Sequence, residues 1–153
     1  LTPRGVYRER PLTRVLFDRR ARIPTNARVF STLAAGPVIM IVSEAAATAE
    51  SGRLATLERQ GVVIDRCGDA GLGAALQRLG ERQIVSLLVE GGPTLQQSFL
   101  DAGLVDRLQL IATPKTLSSG VRAACYEKLR LGPARVTRLG DDLLKEFDVH
   151  GSD

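Results

Sequence analysis

Tryptophan is absent from this chain, and the only aromatic residues besides the lone histidine are four phenylalanines and two tyrosines. Proteins that hold single-stranded nucleic acid stack its bases on such rings, so this poverty argues against a nucleic-acid partner. Histidine occurs once (His150) and cysteine twice (Cys67 and Cys125). A Cys/His zinc site needs about four ligands, usually clustered in pairs, so no metal site is expected. The two isolated cysteines read as reduced thiols of a cytoplasmic protein, and His150 as a solvated or satisfied residue of a late strand. No apolar run approaches the roughly 20 residues of a membrane span, and no signal peptide is visible.

What is present suits a soluble α/β domain. The 153 residues are enough for one domain with a real core. Hydrophobic residues make up 44% and charged residues 25%, both ordinary for a globular protein. The net charge of +4 is unevenly spread. Residues 1–28 carry Arg4, Arg8, Arg10, Arg14, Arg19, Arg20, Arg22 and Arg28 against Glu9 and Asp18. Such a patch suits an anionic partner, either nucleic acid or a phosphorylated small molecule; a solvated, arginine-biased surface would look the same.

Hydrophobic patterning places strands at Thr13 to Asp18, Pro37 to Val42, Val62 to Asp65, Ile84 to Glu90 and Val105 to Ala112. Helices are expected around Leu54 and Leu57, ending at Gly61; over Leu72 to Leu79, stopped by Gly80; and from Thr94 to Ala102. Gly71 and Gly73 read as a plain loop-to-helix junction, because Leu76 stands where a dinucleotide fingerprint needs a third small residue. Strand and helix thus alternate, the signature of a mostly parallel sheet with right-handed crossovers. The chain closes differently. Ala134 to Leu139 and Leu143 to His150 flank a short Gly-Asp-Asp gap, which predicts an antiparallel hairpin. The expected fold is therefore α/β, a mostly parallel sheet flanked by helices with an antiparallel C-terminal hairpin. No linker or repeat divides it.

The stretch from Ser86 to Leu100 organises the rest. An apolar run ends in Glu90, Gly91-Gly92-Pro93 bends the chain, and a helix begins near Thr94. Leu95, Phe99 and Ala102 share one face of that helix. The first amides of a helix lack internal partners and its dipole is positive there, so a phosphate can sit against them. Gly91 and Gly92 would let it approach the backbone closely. An ordinary strand-to-helix turn has the same spacing.

Several stretches together resemble one family. They are Leu1-Thr-Pro-Arg4, Arg14-Val-Leu-Phe-Asp-Arg19, Ser86-Leu-Leu-Val-Glu-Gly-Gly-Pro-Thr94, Ala102-Gly-Leu-Val-Asp106 and Ala112-Thr-Pro-Lys115. In this order they resemble the reductase domain of riboflavin biosynthesis, related in fold to dihydrofolate reductase. The resemblance implies NADPH as cofactor and a phosphorylated pyrimidine, 5-amino-6-(5-phosphoribosylamino)uracil, as substrate. The ribosyl group would be reduced to a ribityl chain, with hydride from the nicotinamide reaching the carbon bonded to nitrogen, and without a metal. Carried over by position, Gly92, Pro93, Thr94, Leu95, Gln96, Gln97 and Ser98 would form the NADPH phosphate turn. Glu90, Leu1 and Arg4 would meet the substrate, Arg4 as a partner for its phosphate. Asp18 matches a family aspartate. Arg19 stands where the family often has Ser or Thr, and its guanidinium could reach the 2′-phosphate; a strand-end ion pair between the two residues is the alternative. No catalytic acid or base is assigned.

The resemblance further implies a homodimer and a cis peptide between Gly91 and Gly92. It implies a family domain that begins well before Leu1, with a lysine-bearing first strand. Many members also carry a zinc deaminase, whose His-x-Glu and Pro-Cys-x-x-Cys pattern is absent here. Two other readings stay open: a reductase of the same superfamily acting on another pterin or pyrimidine, and a non-catalytic nucleotide-binding module.

Overall fold

The computed structural model describes residues 11–149, apart from 68, 117, 122, 125, 127 and 128. These residues form two compact units that part between Val85 and Ser86.

The first unit is built on a parallel sheet in the order β1-β2-β3, comprising β1 (Arg14–Phe17), β2 (Val38–Ile41) and β3 (Val63–Asp65). Val38, Ile39, Met40 and Ile41 are at most 4% exposed, so β2 is buried on both faces. That explains its unbroken apolar run, since a central parallel strand has no polar side to show. Two helices, α1 (Glu44–Ala49) and α2 (Ser51–Arg59), follow β2. Their Ala47, Leu54 and Leu57 join Val38, Met40, Val42 and Val62 in one core. Ser43 caps α1 by accepting the Ala46 N–H at 3.0 Å, and the Asp69 carboxylate accepts the Glu44 N–H at 3.0 Å. After β3 comes α3 (Gly71–Glu81).

The second unit begins with α4 (Pro93–Asp101), whose Phe99 is 2% exposed. Its sheet is antiparallel, in the order β4-β6-β5, with β4 (Arg107–Ala112), β5 (Arg135–Leu139) and β6 (Asp142–Asp148). Gly140, at φ +65, and Asp141 make the two-residue hairpin turn between β5 and β6.

The α/β class, the parallel sheet and the C-terminal hairpin agree with the sequence, and Gly71 opens a helix as read. Four details differ. Residues 84–90 form neither helix nor strand, and Val85 and Leu88 are 94% and 71% exposed. An apolar run signals what a segment would bury, whereas a strand needs a ladder partner, and among the described residues none pairs with this one. Gly80 does not stop α3; it lies inside, and Gln83 takes the left-handed end at φ +62. There Gln83 donates to the Gly80 carbonyl and Ile84 to the Leu79 carbonyl, closing the helix as a glycine usually does. Arg14, counted in the basic patch, is only 5% exposed. Finally, no described peptide bond is cis, so Gly91–Gly92 is trans; trans is favoured by about 2.5–4 kcal/mol outside proline, and Gly92 at φ −66 and ψ 170 enters the helix without the inversion.

Candidate functional site: a glycine turn at a helix N-terminus

The turn before α4 is compact. The Gly92 carbonyl accepts from the Leu95 N–H at 3.0 Å and the Gln96 N–H at 3.1 Å. Pro93 occupies the first helical position, where a missing N–H costs nothing. Helix geometry leaves the Thr94 N–H without an internal acceptor. The two glycines have different reasons to be there. A Cβ on Gly91 would lie 2.7 Å from Leu95 Cδ2 and 3.2 Å from Leu95 Cβ, so Gly91 makes room for Leu95. Gly92 has a backbone conformation open to any residue, and a Cβ there would meet none of the described residues within 4 Å. Among the described residues, neither strain nor crowding accounts for glycine at 92. A bare Cα beside the free Thr94 amide fits an anionic group drawn in close.

Glu90, Gly92, Thr94 and Ser98 are exposed, and Gly91, Pro93, Leu95, Gln96 and Gln97 are half-buried, so the turn is open to solvent. Gln97 and Ser98 are directed along the helix. The Gln97 amide donates to Asp101 at 2.8 Å, and the Ser98 hydroxyl donates to the Thr94 carbonyl at 2.9 Å. Both residues lie beyond the first turn, where the helix-end field has largely fallen away.

In the first unit, Asp18 and Arg19 close β1. Asp18 is 6% exposed, and its Oδ2 accepts the Ile23 N–H at 2.7 Å. Its ionic partner is Arg22, at 3.9 Å, rather than Arg19. The Arg19 side chain is exposed, and its carbonyl accepts the Ser43 N–H at 3.0 Å. Leu1, Arg4, Cys125 and His150 lie outside the described residues.

The structure also shows two clusters that the sequence reading missed. The Arg14 guanidinium is held by four acceptors: the Val29 carbonyl (3.2 Å), Thr32 Oγ1 (2.6 Å), the Thr32 carbonyl (2.9 Å) and the Gly36 carbonyl (2.6 Å). It spans a short 3-10 segment, Phe30–Ala35, and fastens the long β1–β2 connection to the sheet. Nothing local marked it: Val15, Leu16 and Phe17 are all half-buried, so β1 shows no alternation that would assign Arg14 a side. The second cluster surrounds Asp65, 3% exposed at the end of β3. Arg78 Nε lies 3.2 Å from Oδ1 and Arg82 donates to Oδ2 at 3.3 Å. Burial pushes the thiol of nearby Cys67 above its ordinary value, and the Asp65 carboxylate adds to the rise, with Arg78 opposing it. Among the described residues no His/Cys/Asp/Glu group could hold a metal ion.

A glycine turn feeding a helix N-terminus in an α/β fold is the arrangement of phosphate-binding α/β proteins. The family described as "RibD C-terminal domain" matches residues 1–145, and the chain belongs to it. The chain is 31% identical over 153 residues to the riboflavin biosynthesis protein RibD of Aquifex aeolicus, covering 96% of this chain and 41% of the relative. It is 34% identical over 148 residues to the 2,5-diamino-6-ribosylamino-4(3H)-pyrimidinone 5′-phosphate reductase of Methanothermobacter thermautotrophicus, covering 90% and 66% respectively. Among solved structures, form 1 of Acinetobacter baumannii RibD superposes with a TM-score of 0.72 at 26% identity, over 90% of this chain and 37% of that one. The chain therefore spans from about two fifths to two thirds of the relatives it matches over most of its length.

Proposed function

We propose that the protein is an NADPH-dependent reductase of riboflavin biosynthesis. It reduces the ribosyl group of 5-amino-6-(5-phosphoribosylamino)uracil to the ribityl chain. The observation that carries this reading is Gly92, an unobliged glycine beside the free Thr94 amide of α4. Family membership and the reductase named in Methanothermobacter support it.

NADPH supplies the reducing equivalents when bound. The chain's own part is to bind and orient. The free Thr94 amide at the start of α4 takes a cofactor phosphate; the resemblance assigns Gly92 to Ser98 to that phosphate turn and, separately, Arg19 to the 2′-phosphate. Glu90 stands immediately before the turn, exposed, as an acceptor for a substrate hydroxyl or amine. Leu1 and Arg4 contact the substrate, Arg4 at its phosphate. The proposal extends to a homodimer working in the cytoplasm. Among the described residues no helix is long and apolar enough to cross a membrane.

The test is oxidation of NADPH on adding the phosphoribosylaminouracil, with the ribityl product identified by mass. Glu90→Gln keeps the size and removes the carboxylate; kcat/KM should fall at least about tenfold, the scale of one hydrogen bond to a charged group. An unchanged kcat/KM would remove Glu90 from the site. A second reading, reduction of the 2,5-diamino pyrimidinone, is favoured by the Methanothermobacter relative. Turnover of the two compounds side by side decides between them.

A further inference from the structure

The residues just after β1 form a turn with an unusual construction. The Asp18 carbonyl accepts the Ala21 N–H at 2.8 Å, which closes a four-residue turn with Arg19 and Arg20 at its centre. Both arginines are exposed. Ala21 is fully buried, yet it holds φ +50, a region that side chains other than glycine rarely enter. Three further contacts hold the strained residue in place. Asp18 Oδ2 accepts the Ile23 N–H at 2.7 Å beneath the turn. The Asp18 N–H donates to the Ile41 carbonyl at 3.0 Å, and the Ser43 N–H donates to the Arg19 carbonyl at 3.0 Å. Such strain persists only where surrounding contacts over-determine it, and it concentrates at ligand sites.

We infer that Asp18 is a positioning residue that fixes the Arg19–Arg20 turn to receive a phosphate monoester. Its carboxylate is buried and already engaged by the Ile23 N–H and Arg22, so it does not itself touch a ligand. It acts by forcing the chain back under the turn, which holds the Arg19 backbone fixed between Asp18 and Ser43. A guanidinium on a fixed backbone loses less freedom on meeting a phosphate than one on a loose loop. This inference rests on the reading of Arg19 as a ligand of the cofactor's 2′-phosphate, and it adds what makes Arg19 selective.

The test is calorimetric binding of adenosine 2′,5′-bisphosphate and adenosine 5′-monophosphate to the full chain. The ratio of the two affinities reports the 2′-phosphate alone. Wild type should prefer the bisphosphate by about tenfold or more, and Arg19→Gln should abolish the preference. Asp18→Asn, which weakens the bonds to Ile23 and Arg22 at constant size, should lower the ratio roughly three- to tenfold. In the Arg19→Gln background the same change should do nothing, because its effect passes through Arg19. Asp18→Ser, which shortens the acceptor to the Ile23 N–H and removes the charge, should lower the ratio in the same Arg19-dependent way, and it serves if Asp18→Asn fails to fold. A folded Asp18→Asn variant with the wild-type ratio, or one whose loss is equal in both backgrounds, overturns the positioning role and leaves Arg19's reading standing. Equal binding of the two nucleotides by wild type overturns both.

Discussion

At the residue scale, the two glycines before α4 separate folding from function. Gly91→Ala pushes a methyl group against Leu95 and should destabilise the protein by about 1 kcal/mol, read from denaturant unfolding. Gly92→Ala enters open space and should leave stability within about 0.5 kcal/mol of wild type while weakening NADPH binding. The sequence showed the pair but not the difference, because the difference depends on where Leu95 packs. Arg14 teaches the same lesson. Read as one of a basic group, it is a buried clamp with four acceptors, and Arg14→Met should cost roughly 3–5 kcal/mol by stranding carbonyls. Cys67 is buried, with its thiol raised above 9.0, so thiolate is scarce near neutral pH. In a Cys125→Ser background it should react with a disulfide reagent only as fast as the protein opens. The sign of the pH effect follows from the same shift. The unfolded thiol ionises above about pH 9 while the folded one resists, so Cys67's contribution to stability is intact below that pH and is lost as pH rises beyond it.

At the scale of elements, what the sequence specified locally is what the structure reproduces. β2 was legible because a strand buried on both faces is apolar throughout, and α4 because Pro93 and the Leu95–Phe99 spacing mark its start and inner face. Gly61, at φ +100 just after α2, is the helix-ending glycine expected there. What required a partner in space was not legible. Residues 84–90 have the composition of a strand, and pairing is a property of two segments. α3 runs past Gly80 to Glu81 and Gln83 takes the left-handed position beyond it, while Arg78 and Arg82 attach this end of the helix to Asp65. Asp65→Asn should loosen that attachment at a cost of roughly 1–2 kcal/mol, modest because both arginines are about half exposed.

At the scale of the molecule, the sequence patterns and the comparisons meet on one family. The motif order along the chain carried that recognition; composition alone was ordinary for a globular protein, and hydrophobic patterning gave only the α/β class. The proposed site rests on an α4 terminus where the Thr94 amide is free and the adjoining glycine, among the described residues, faces open space. The most direct measurement is a calorimetric titration of NADPH into wild type and Gly92→Val, with thermal unfolding of both recorded alongside. Wild type should bind, and Gly92→Val, equally stable, should lose at least about tenfold in affinity as its side chain fills the space an anion would occupy. Equal binding by the two proteins, or no binding by wild type, would contradict the proposed site.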